Sequence, residues 1–175
     1  MRTALDLLTQ YAEYHRDRRN IVTHFVGVPM IVFAVGVLLA RPAIPVGDLL
    51  LTPAWVAFAM AALWYLTRHL TLGLAVSMAV GVLIALGHEV AARSTIVWLA
   101  TGVGFFVVGW AIQFIGHYYE GRKPAFVDDL VGLLVGPMFV VAEGMFAMGW
   151  NREMLQEIEK RAGPTILRDL ANARP

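Results

Sequence analysis

The sequence predicts an all-α fold, an integral membrane helical bundle with four full spans and a fifth apolar segment broken by a Gly-Pro pair. Composition is the first observation: 58% of the 175 residues are hydrophobic, 15% are charged, and the mean hydropathy is +0.64. Soluble domains average about 45–50% apolar and about 25% charged residues. The second observation is a series of long apolar stretches, because about 20 such residues cross a lipid bilayer.

Short polar or proline-containing breaks separate the four predicted spans. Pro45 and Gly47 lie in the loop after the first span, and Arg68-His69 separates the second span from the third. The predicted spans are residues 21–40, 53–67, 70–87 and 95–116. The chain is predicted to be one domain that comprises an amphipathic N-terminal helix (1–20), the bundle (21–150) and an amphipathic tail (151–175). A second short helix is expected in that tail after Pro164.

The fifth apolar stretch, residues 130–150, differs from the other four. Gly136 and Pro137 lie in its middle, and proline removes a backbone donor, so we expect a break or kink at Gly136. Glu143 lies in the second half of the stretch, where a charge is unfavourable among apolar residues. This makes Glu143 a candidate functional residue, although pairing with a basic residue of the bundle would account for it equally well.

Basic residues predict an orientation in the membrane. Arg16, Arg18 and Arg19 precede the first span, and Arg122 and Lys123 follow the fourth. Four crossings place both groups on the cytoplasmic side, as the positive-inside rule expects. A fifth crossing would move the basic tail to the opposite side. We therefore expect the fifth stretch to bend back or to pack within the bundle, where irregular backbone is tolerated when protein covers it.

Charge and cysteine content exclude several classes of function. The net charge is +1 and the basic residues cluster near the chain ends, so the sequence offers no basic patch for nucleic acid. The absence of cysteine excludes disulfides, thiolate zinc sites, iron–sulfur clusters and a cysteine nucleophile. Any metal must therefore be held by histidine, carboxylate or backbone oxygen. The polar first 20 residues give no sign of a cleavable signal peptide.

Two residues at the end of the fourth predicted span could bind a metal ion. His117 and Glu120 are three positions apart, which places them on one helix face with Cβ atoms about 5–6 Å apart. An imidazole and a carboxylate at this spacing serve as metal ligands in di-iron helical bundles. The alternative remains open that His117 is an interfacial histidine and that Glu120 neutralises Arg122 or Lys123.

Two further histidines lie where the first span begins. His15 and His24 are nine residues apart, so an unbroken helix would place them on opposite faces. Asn20 is a favourable N-cap residue. A helix that ends near Arg16, followed by a new helix capped at Asn20, would let both rings converge. The alternative is that His15 is solvated and that His24 bonds to a neighbouring carbonyl.

The predicted topology brings these residues to one edge of the membrane. His24 begins the first span and His117 ends the fourth, whereas His88 closes the third span roughly 25–30 Å away and should not share their site. Imidazole and carboxylate ligands suit non-haem iron(II). Asp128 and Asp129 follow closely as outer groups or a fourth ligand, and with Asn20 they are the predicted catalytic residues.

Three residues are predicted to bind substrate at the same edge. Arg122 and Lys123 could receive an anionic head group, and Gln113 completes the predicted substrate-binding set. Ordinary flanking charge explains the two basic residues equally well.

Two blocks of sequence carry a resemblance to a known family. They are YHRDRRNIVTHFVGVP, residues 14–29, and QFIGHYYEGRKPAFVDDLVGLLVGP, residues 113–137. With this pattern the chain resembles the 2-hydroxy fatty acid dioxygenases, small integral membrane proteins of the fungal endoplasmic reticulum with many bacterial relatives. The family usually has His-x-Asn-Pro before the matched asparagine, where this chain has the run from Arg16 to Arg19.

The resemblance implies an iron(II)-dependent dioxygenase that shortens a long-chain 2-hydroxy fatty acid by one carbon with O2, as in fatty acid α-oxidation. It implies His15, His24 and His117 as iron ligands, with Glu120 a further ligand or a base. Zinc could replace iron in a purified sample. The resemblance requires no histidine at position 69 or 88. It places the protein in the cytoplasmic membrane of a bacterium or in the endoplasmic reticulum of a eukaryote.

Two other functions compete with this interpretation. A small transporter or channel could use the broken fifth segment and Glu143 as its site, since broken helices are common in such folds. That reading expects paired repeats and polar residues along several spans, whereas here the polar residues concentrate at one edge. A non-catalytic membrane scaffold is the third possibility.

Overall fold

The computed structural model describes residues 2–47, 49–127 and 129–169. Within these residues the chain forms seven α-helices, one β-hairpin and one 3-10 turn. The helices are α1 (Ala4–Ala12), α2 (Arg18–Ala40), α3 (Pro53–Arg68), α4 (Leu70–Ala91), α5 (Thr95–Glu120), α6 (Gly132–Ala147) and α7 (Arg152–Ala162). The hairpin pairs β1 (Ile44–Val46) with β2 (Leu49–Leu51), and the 3-10 turn is Ala125–Val127. The prediction of an all-α class is confirmed.

Consecutive helices from α2 to α5 run in opposite directions, so their termini gather at two ends. At one end, Trp98 at the start of α5 donates its Nε1–H to the Val37 carbonyl near the end of α2 (2.8 Å). At this same end, His88 near the end of α4 bonds to Thr52, which caps α3 (2.9 Å). We call this the far end. The near end is where α2 begins and α5 ends.

Three of the described helices are long and apolar enough to cross a membrane, namely α2, α4 and α5 with 23, 22 and 26 residues. Helix α3 also runs between the two ends, but its 16 residues span about 24 Å at 1.5 Å per residue. That length is short of the roughly 30 Å of a bilayer's hydrocarbon core. The structure therefore supports a helical membrane bundle, whereas four full spans plus a fifth segment are not confirmed.

The near end is covered by α1, α6 and α7, which we call the cap. One buried core joins the cap to the bundle, with Leu8 of α1, Leu72 of α4, Met138 of α6 and Ile158 of α7 all at most 2% exposed. Burying such a side chain contributes about 1.5–3 kcal/mol. This shared core fixes the cap on the ends of the spans.

The predicted break at Gly136 is not found, because α6 continues through Gly136 and Pro137. Proline removes one backbone hydrogen bond, and the buried neighbours Val135, Met138 and Phe139 hold the helix against the cap core. The chain bends instead after α6, where α6 and α7 meet at 119°.

Both ends of α6 lie at the near end. The Tyr65 hydroxyl, one turn before the end of α3, donates to the Leu134 carbonyl (2.9 Å). The ring of Trp150, just beyond α6, lies 5.5 Å from that of His69, the residue that follows α3. The fifth apolar stretch therefore begins and ends at the near end and packs within the cap.

Helix α2 begins three residues before the predicted position. Its N-cap is Asp17, whose Oδ1 accepts the Arg19 backbone N–H (2.8 Å), and Asn20 lies inside the first turn. The preceding helix ends at Ala12, well before Arg16. The predicted cap at Asn20 is wrong, but the predicted break between His15 and His24 is confirmed, and His15 lies in the linker of residues 13–17.

The tail segment, residues 163–169, does not form the second short helix expected after Pro164. Gly163 ends α7 with a φ of +87°, and Ile166 then forms a parallel β-bridge with the linker. The Ile166 carbonyl accepts the Arg18 N–H, and its N–H donates to the Arg16 carbonyl, both at 2.9 Å. The end of the described chain is therefore tied to the start of the first span.

Candidate metal centre

Three buried histidines converge at the near end. His15 comes from the linker, His24 from the second turn of α2 and His117 from the last turn of α5. Their exposed fractions are 0%, 2% and 6%. Each ring offers one nitrogen such that the three nitrogens lie within 4.8 Å of one another, a spacing that suits one metal ion. The structure thus brings together the three histidines that the sequence predicts as ligands.

Backbone carbonyls fix the tautomers of two of these rings. His15 donates its Nδ1–H to the Tyr11 carbonyl (2.6 Å), and His24 donates its Nδ1–H to the Asn20 carbonyl (2.8 Å). Because a carbonyl oxygen can only accept, the proton of each neutral ring resides on Nδ1. Both Nε2 atoms then carry lone pairs, yet they lie only 2.9 Å apart.

Two lone pairs that face each other repel unless a cation, either a proton or a metal ion, lies between them. A proton is disfavoured, because burial holds the pKa of His15 well below its usual value, and the neighbouring His24 and His117 lower it further. A metal fits better, since nitrogen ligands about 2.1 Å from one ion lie about 3 Å apart when they meet it at a right angle. Ligand histidines also typically donate their other N–H to a carbonyl.

The third ring is also consistent with a metal site. The His117 ring is buried, and the Arg122 backbone interacts with it, although no group of the described residues meets its Nδ1 in full hydrogen-bond geometry. A neutral imidazole that donates from one nitrogen keeps a lone pair on the other, so His117 can offer one ligand atom to an ion. The donor chemistry of the three histidines therefore fits a divalent metal.

Aromatic packing holds the His15 ring in place. The ring of Tyr11 stacks on it with a centroid distance of 4.1 Å and an interplanar angle of 4°. Phe139 of α6 lies against the same imidazole at 5.4 Å. Neither residue was singled out from the sequence. The one available signal is the four-residue spacing of Tyr11 and His15, about one helical turn.

The structure does not bring Glu120 into the histidine group. Its fully buried carboxylate faces the N-terminus of α2, where Oε2 accepts the Asp17 N–H (2.7 Å) and the Asn20 side-chain N–H (3.2 Å). Its Oε1 lies 3.3 Å from an Arg168 guanidinium nitrogen. Free N–H groups and the positive end of the helix dipole attract a carboxylate at this position. Arg168 forms this ion pair, whereas the sequence suggested Arg122 or Lys123 as the partner.

The other predicted catalytic residues lie around the site rather than in it. The Asn20 side chain donates to the Tyr14 carbonyl (3.1 Å) and to Glu120, while its backbone carbonyl orients His24. Asp129 accepts the Val131 N–H (3.0 Å) at the start of α6 and pairs with Arg2 (2.8 Å). Asp128 lies outside the described residues.

Asp17 is a further charged group beside the centre that the sequence did not reveal. Burial alone would raise the pKa of its carboxyl, but hydrogen bonds from the Arg19 side chain and from the Arg168 and Arg19 backbone N–H groups lower that pKa to about 2. Asp17 is therefore ionised at neutral pH and anchors both α2 and the tail segment.

A pocket of about 70 Å³ adjoins His24 and His117 between α2, α5 and α6. Gln113 contributes a side chain that is 3% exposed and whose Nε2 is buried without a hydrogen-bond partner in the described residues. The opposite wall is apolar, with Val28, Ile31 and Leu133. The predicted substrate-binding residue Gln113 thus lines a small pocket beside the histidines, and its buried Nε2 lies next to Gly27 of α2.

The basic residues Arg122 and Lys123 are exposed on the loop that follows α5. Arg122 donates to the Glu13 carbonyl in the linker (2.8 Å). The next two residues of the loop, Pro124 and Ala125, line the pocket. The predicted head-group residues therefore lie at the rim of the site and do not line it.

The other polar residues considered in the sequence analysis, Glu143, His88 and His69, have structural partners. Glu143 lies 3.9 Å from the buried guanidinium of Arg16, and α6 is unbroken, so the fifth stretch offers no broken-helix site for a transporter. His88 bonds to Thr52 at the far end, which confirms that it does not share the histidine site. His69 caps α4 by accepting the Leu72 N–H (3.3 Å).

Comparison with known proteins agrees with this site. The family model described as "2-hydroxy-palmitic acid dioxygenase Mpo1-like" matches residues 1–148, which include all three histidines. A curated relative, the 2-hydroxy-palmitic acid dioxygenase MPO1 of Saccharomyces cerevisiae, is 29% identical over 160 residues, covering 89% of this chain and 88% of the relative. No solved structure was found to match. The chain therefore belongs to the Mpo1-like family.

Proposed function

We propose that this protein is an iron(II)-dependent dioxygenase that shortens long-chain 2-hydroxy fatty acids by one carbon. The observation that carries the proposal is the 2.9 Å contact between the Nε2 atoms of His15 and His24, whose tautomers are fixed by carbonyls. Family membership and the name of the yeast relative supply the substrate class.

Three imidazoles would hold the metal, from His15, His24 and His117. Imidazole suits iron(II) as well as zinc, and three protein ligands leave coordination positions free for substrate and oxygen. When bound, iron(II) supplies the electron-transfer chemistry that activates O2, which protein side chains lack. Glu120 and Asn20 act from outside the ligand set, where they orient the linker and His24.

The chain's own groups would bind and orient the substrate. The buried Nε2–H of Gln113 donates to an oxygen of the 2-hydroxy acid head group. Arg122 and Lys123 at the rim attract its carboxylate. A pocket of about 70 Å³ has room for this head group but not for a long acyl chain. The acyl chain of the substrate therefore lies along the apolar side chains of Ile31 and Leu133 and extends toward the lipid.

The proposed reaction balances with one molecule of O2. A 2-hydroxy acid, RCH(OH)COOH, and O2 give the shortened acid RCOOH, CO2 and water. The bond between the carboxyl carbon and the hydroxyl-bearing carbon breaks. The hydroxyl-bearing carbon is oxidised to a new carboxyl group, and O2 is reduced.

Metal analysis and product analysis of the purified protein test this proposal. We expect about one divalent metal ion per chain, and a product one carbon shorter from 2-hydroxypalmitic acid with O2 and iron(II). His24→Ala and His117→Ala should lose both metal and product. His88→Ala is the matched control and should keep both, because His88 lies at the far end.

The possible outcomes separate the metal site from the substrate. Wild-type protein without bound metal after anaerobic loading with iron(II) would overturn the metal centre. If metal binding depends on His24 and His117 but no shortened acid forms, the proposed metal centre stands and the proposed substrate is rejected. Metal lost equally in His88→Ala would contradict the arrangement of the site.

A further inference from the structure

The tail segment packs against the linker and the first turn of α2, beside the proposed metal centre. Its backbone pairs with the linker through Ile166, and the Arg168 N–H donates to Asp17 Oδ2 (2.9 Å). Arg19 in turn donates from its guanidinium to the Arg168 carbonyl (2.8 Å). These bonds hold Arg168 beside the residues that precede and begin α2.

The side chain of Arg168 reaches a buried charge. Its guanidinium nitrogen lies 3.3 Å from Glu120 Oε1, and the Glu120 side chain is fully buried while that of Arg168 is 32% exposed. A buried carboxylate needs a compensating charge. No described residue meets Glu120 Oε1 in hydrogen-bond geometry, so the ion pair with Arg168 compensates this oxygen by charge alone. Arg168 supplies positive charge from a segment 48 positions later in the sequence, in addition to the attraction between Glu120 and the buried Arg16.

Glu120 transmits this interaction toward two metal ligands. Its Oε2 accepts the backbone N–H of Asp17, two residues after His15, and the side-chain N–H of Asn20. The carbonyl of Asn20 fixes the His24 ring. A displaced Glu120 would therefore release both the linker and the first turn of α2.

We propose that Arg168 is a positioning residue of the metal centre, which acts through Glu120 to hold His15 and His24 at their ligand spacing. The inference rests on the metal centre of the proposed function. Arg168 lies beyond residues 1–148, the part of the chain that matches the family, so the family match assigns it no role.

The test is the zinc affinity of the full-length, metal-free protein in detergent, measured by competition with a chelator. Loss of a partner that orients metal ligands typically weakens metal binding about 10- to 100-fold, and we expect this for Arg168→Met. Arg168→Lys keeps the charge and should recover part of the affinity. Lys160→Met is the control, since it removes one positive charge from an α7 side chain that is 79% exposed.

A double variant covers the case in which Arg168→Met does not fold. In the Glu120→Gln background the buried carboxylate charge is gone, so adding Arg168→Met should not weaken zinc binding further. Removing both partners of a buried pair is generally tolerated better than removing one. A further tenfold loss in that background would overturn action through Glu120.

Other outcomes separate a positioning role from a purely structural one. If Arg168→Met lowers the melting temperature of the metal-free protein but leaves zinc affinity unchanged, Arg168 only stabilises the fold and the inference is wrong. If the wild-type protein binds zinc through His24 and Arg168→Met has the same zinc affinity, only this inference is rejected. Wild-type protein that binds no metal rejects the proposed centre as well.

Discussion

The Nε2 atoms of His15 and His24 lie 2.9 Å apart although each ring donates its Nδ1–H to a backbone carbonyl. This relationship depends on the linker, because the two residues would face opposite ways on one continuous helix. The end of α1 at Ala12 and the new start at Asp17 remove that constraint. The close approach of these two histidines therefore depends on the linker between the cap and the bundle.

Acid should destabilise the metal-free protein through His15. Burial lowers the pKa of His15 in the folded state below the unfolded value near 6.5, so the unfolded state binds the proton first. The contribution of His15 to stability is complete above pH 6.5 and is lost as the pH falls from there toward the folded pKa. Between pH 7 and pH 5.5 this loss is about 1 kcal/mol.

Melting temperatures across this pH range, measured in detergent with a chelator present, check that expectation. His15→Gln is the matched variant and should show a shallower decline than the wild type. An identical decline in both proteins would show that His15 takes no part in the acid sensitivity.

Gly116→Ala should separate α5 from α2 at the metal site. A Cβ at this position would clash with the Thr23 hydroxyl and would lie 2.5 Å from Asn20 Oδ1. Overpacking of this kind lowers the free energy of unfolding by about 1–3 kcal/mol. Because Asn20 orients His24, we expect lower thermal stability and weaker metal binding.

Gly104→Ala on the same helix is the control, since nothing lies within 4 Å of a Cβ there. It should leave the melting temperature and the metal content unchanged. Equal effects of the two substitutions would mean that the contact between Gly116 and α2 is not what matters.

Tyr11→Phe and Tyr11→Leu should differ in metal affinity. Phenylalanine retains the ring that stacks on His15 at 4.1 Å, whereas leucine removes it. An aromatic pair contributes about 0.5–1.5 kcal/mol beyond burial, which corresponds to a two- to tenfold loss of affinity. Chelator competition measures both variants, and equal affinities would rule out ring stacking as the support for His15.

Gln113→Leu should raise the KM for the 2-hydroxy acid without removing the metal. The substitution retains the apolar packing but deletes the buried Nε2–H donor of the pocket. A hydrogen bond to a charged group is worth about 1.5–3 kcal/mol, so the increase should be about ten- to hundredfold. Gln156→Leu, on the exposed face of α7, is the control and should leave KM unchanged.

Hydropathy and topology predicted the helical class, the shared depth of His24 and His117, and the exclusion of His88, whereas the residues alone left the position of His15 open and the family resemblance implied it as a ligand. These predictions depend on local geometry and on the depth of each residue along a span. The N-cap of α2 was misplaced because Asp17 and Asn20 are both favourable capping residues. A tertiary contact decides between them, since Glu120 accepts the Asp17 N–H.

The role of Glu120 could not be predicted from local sequence patterns either. Its three-residue spacing from His117 is compatible with a shared metal, but the carboxylate meets the N-terminus of α2 and Arg168 instead. Arg168 is 48 positions away and follows a glycine-ended helix, so no periodicity links the two. Likewise, Pro137 gave a strong local signal for a break that the packing of α6 in the cap overrides.

The β-bridge between Ile166 and the linker has a consequence for biosynthesis. Residues near the N-terminus are made first, at about 5–20 residues per second, and α2 to α5 precede the tail segment. The linker that carries His15 can therefore take its final shape only after residues up to Ile166 have left the ribosome. A metal ion held by the three histidines would accordingly bind only after the tail segment has been synthesised.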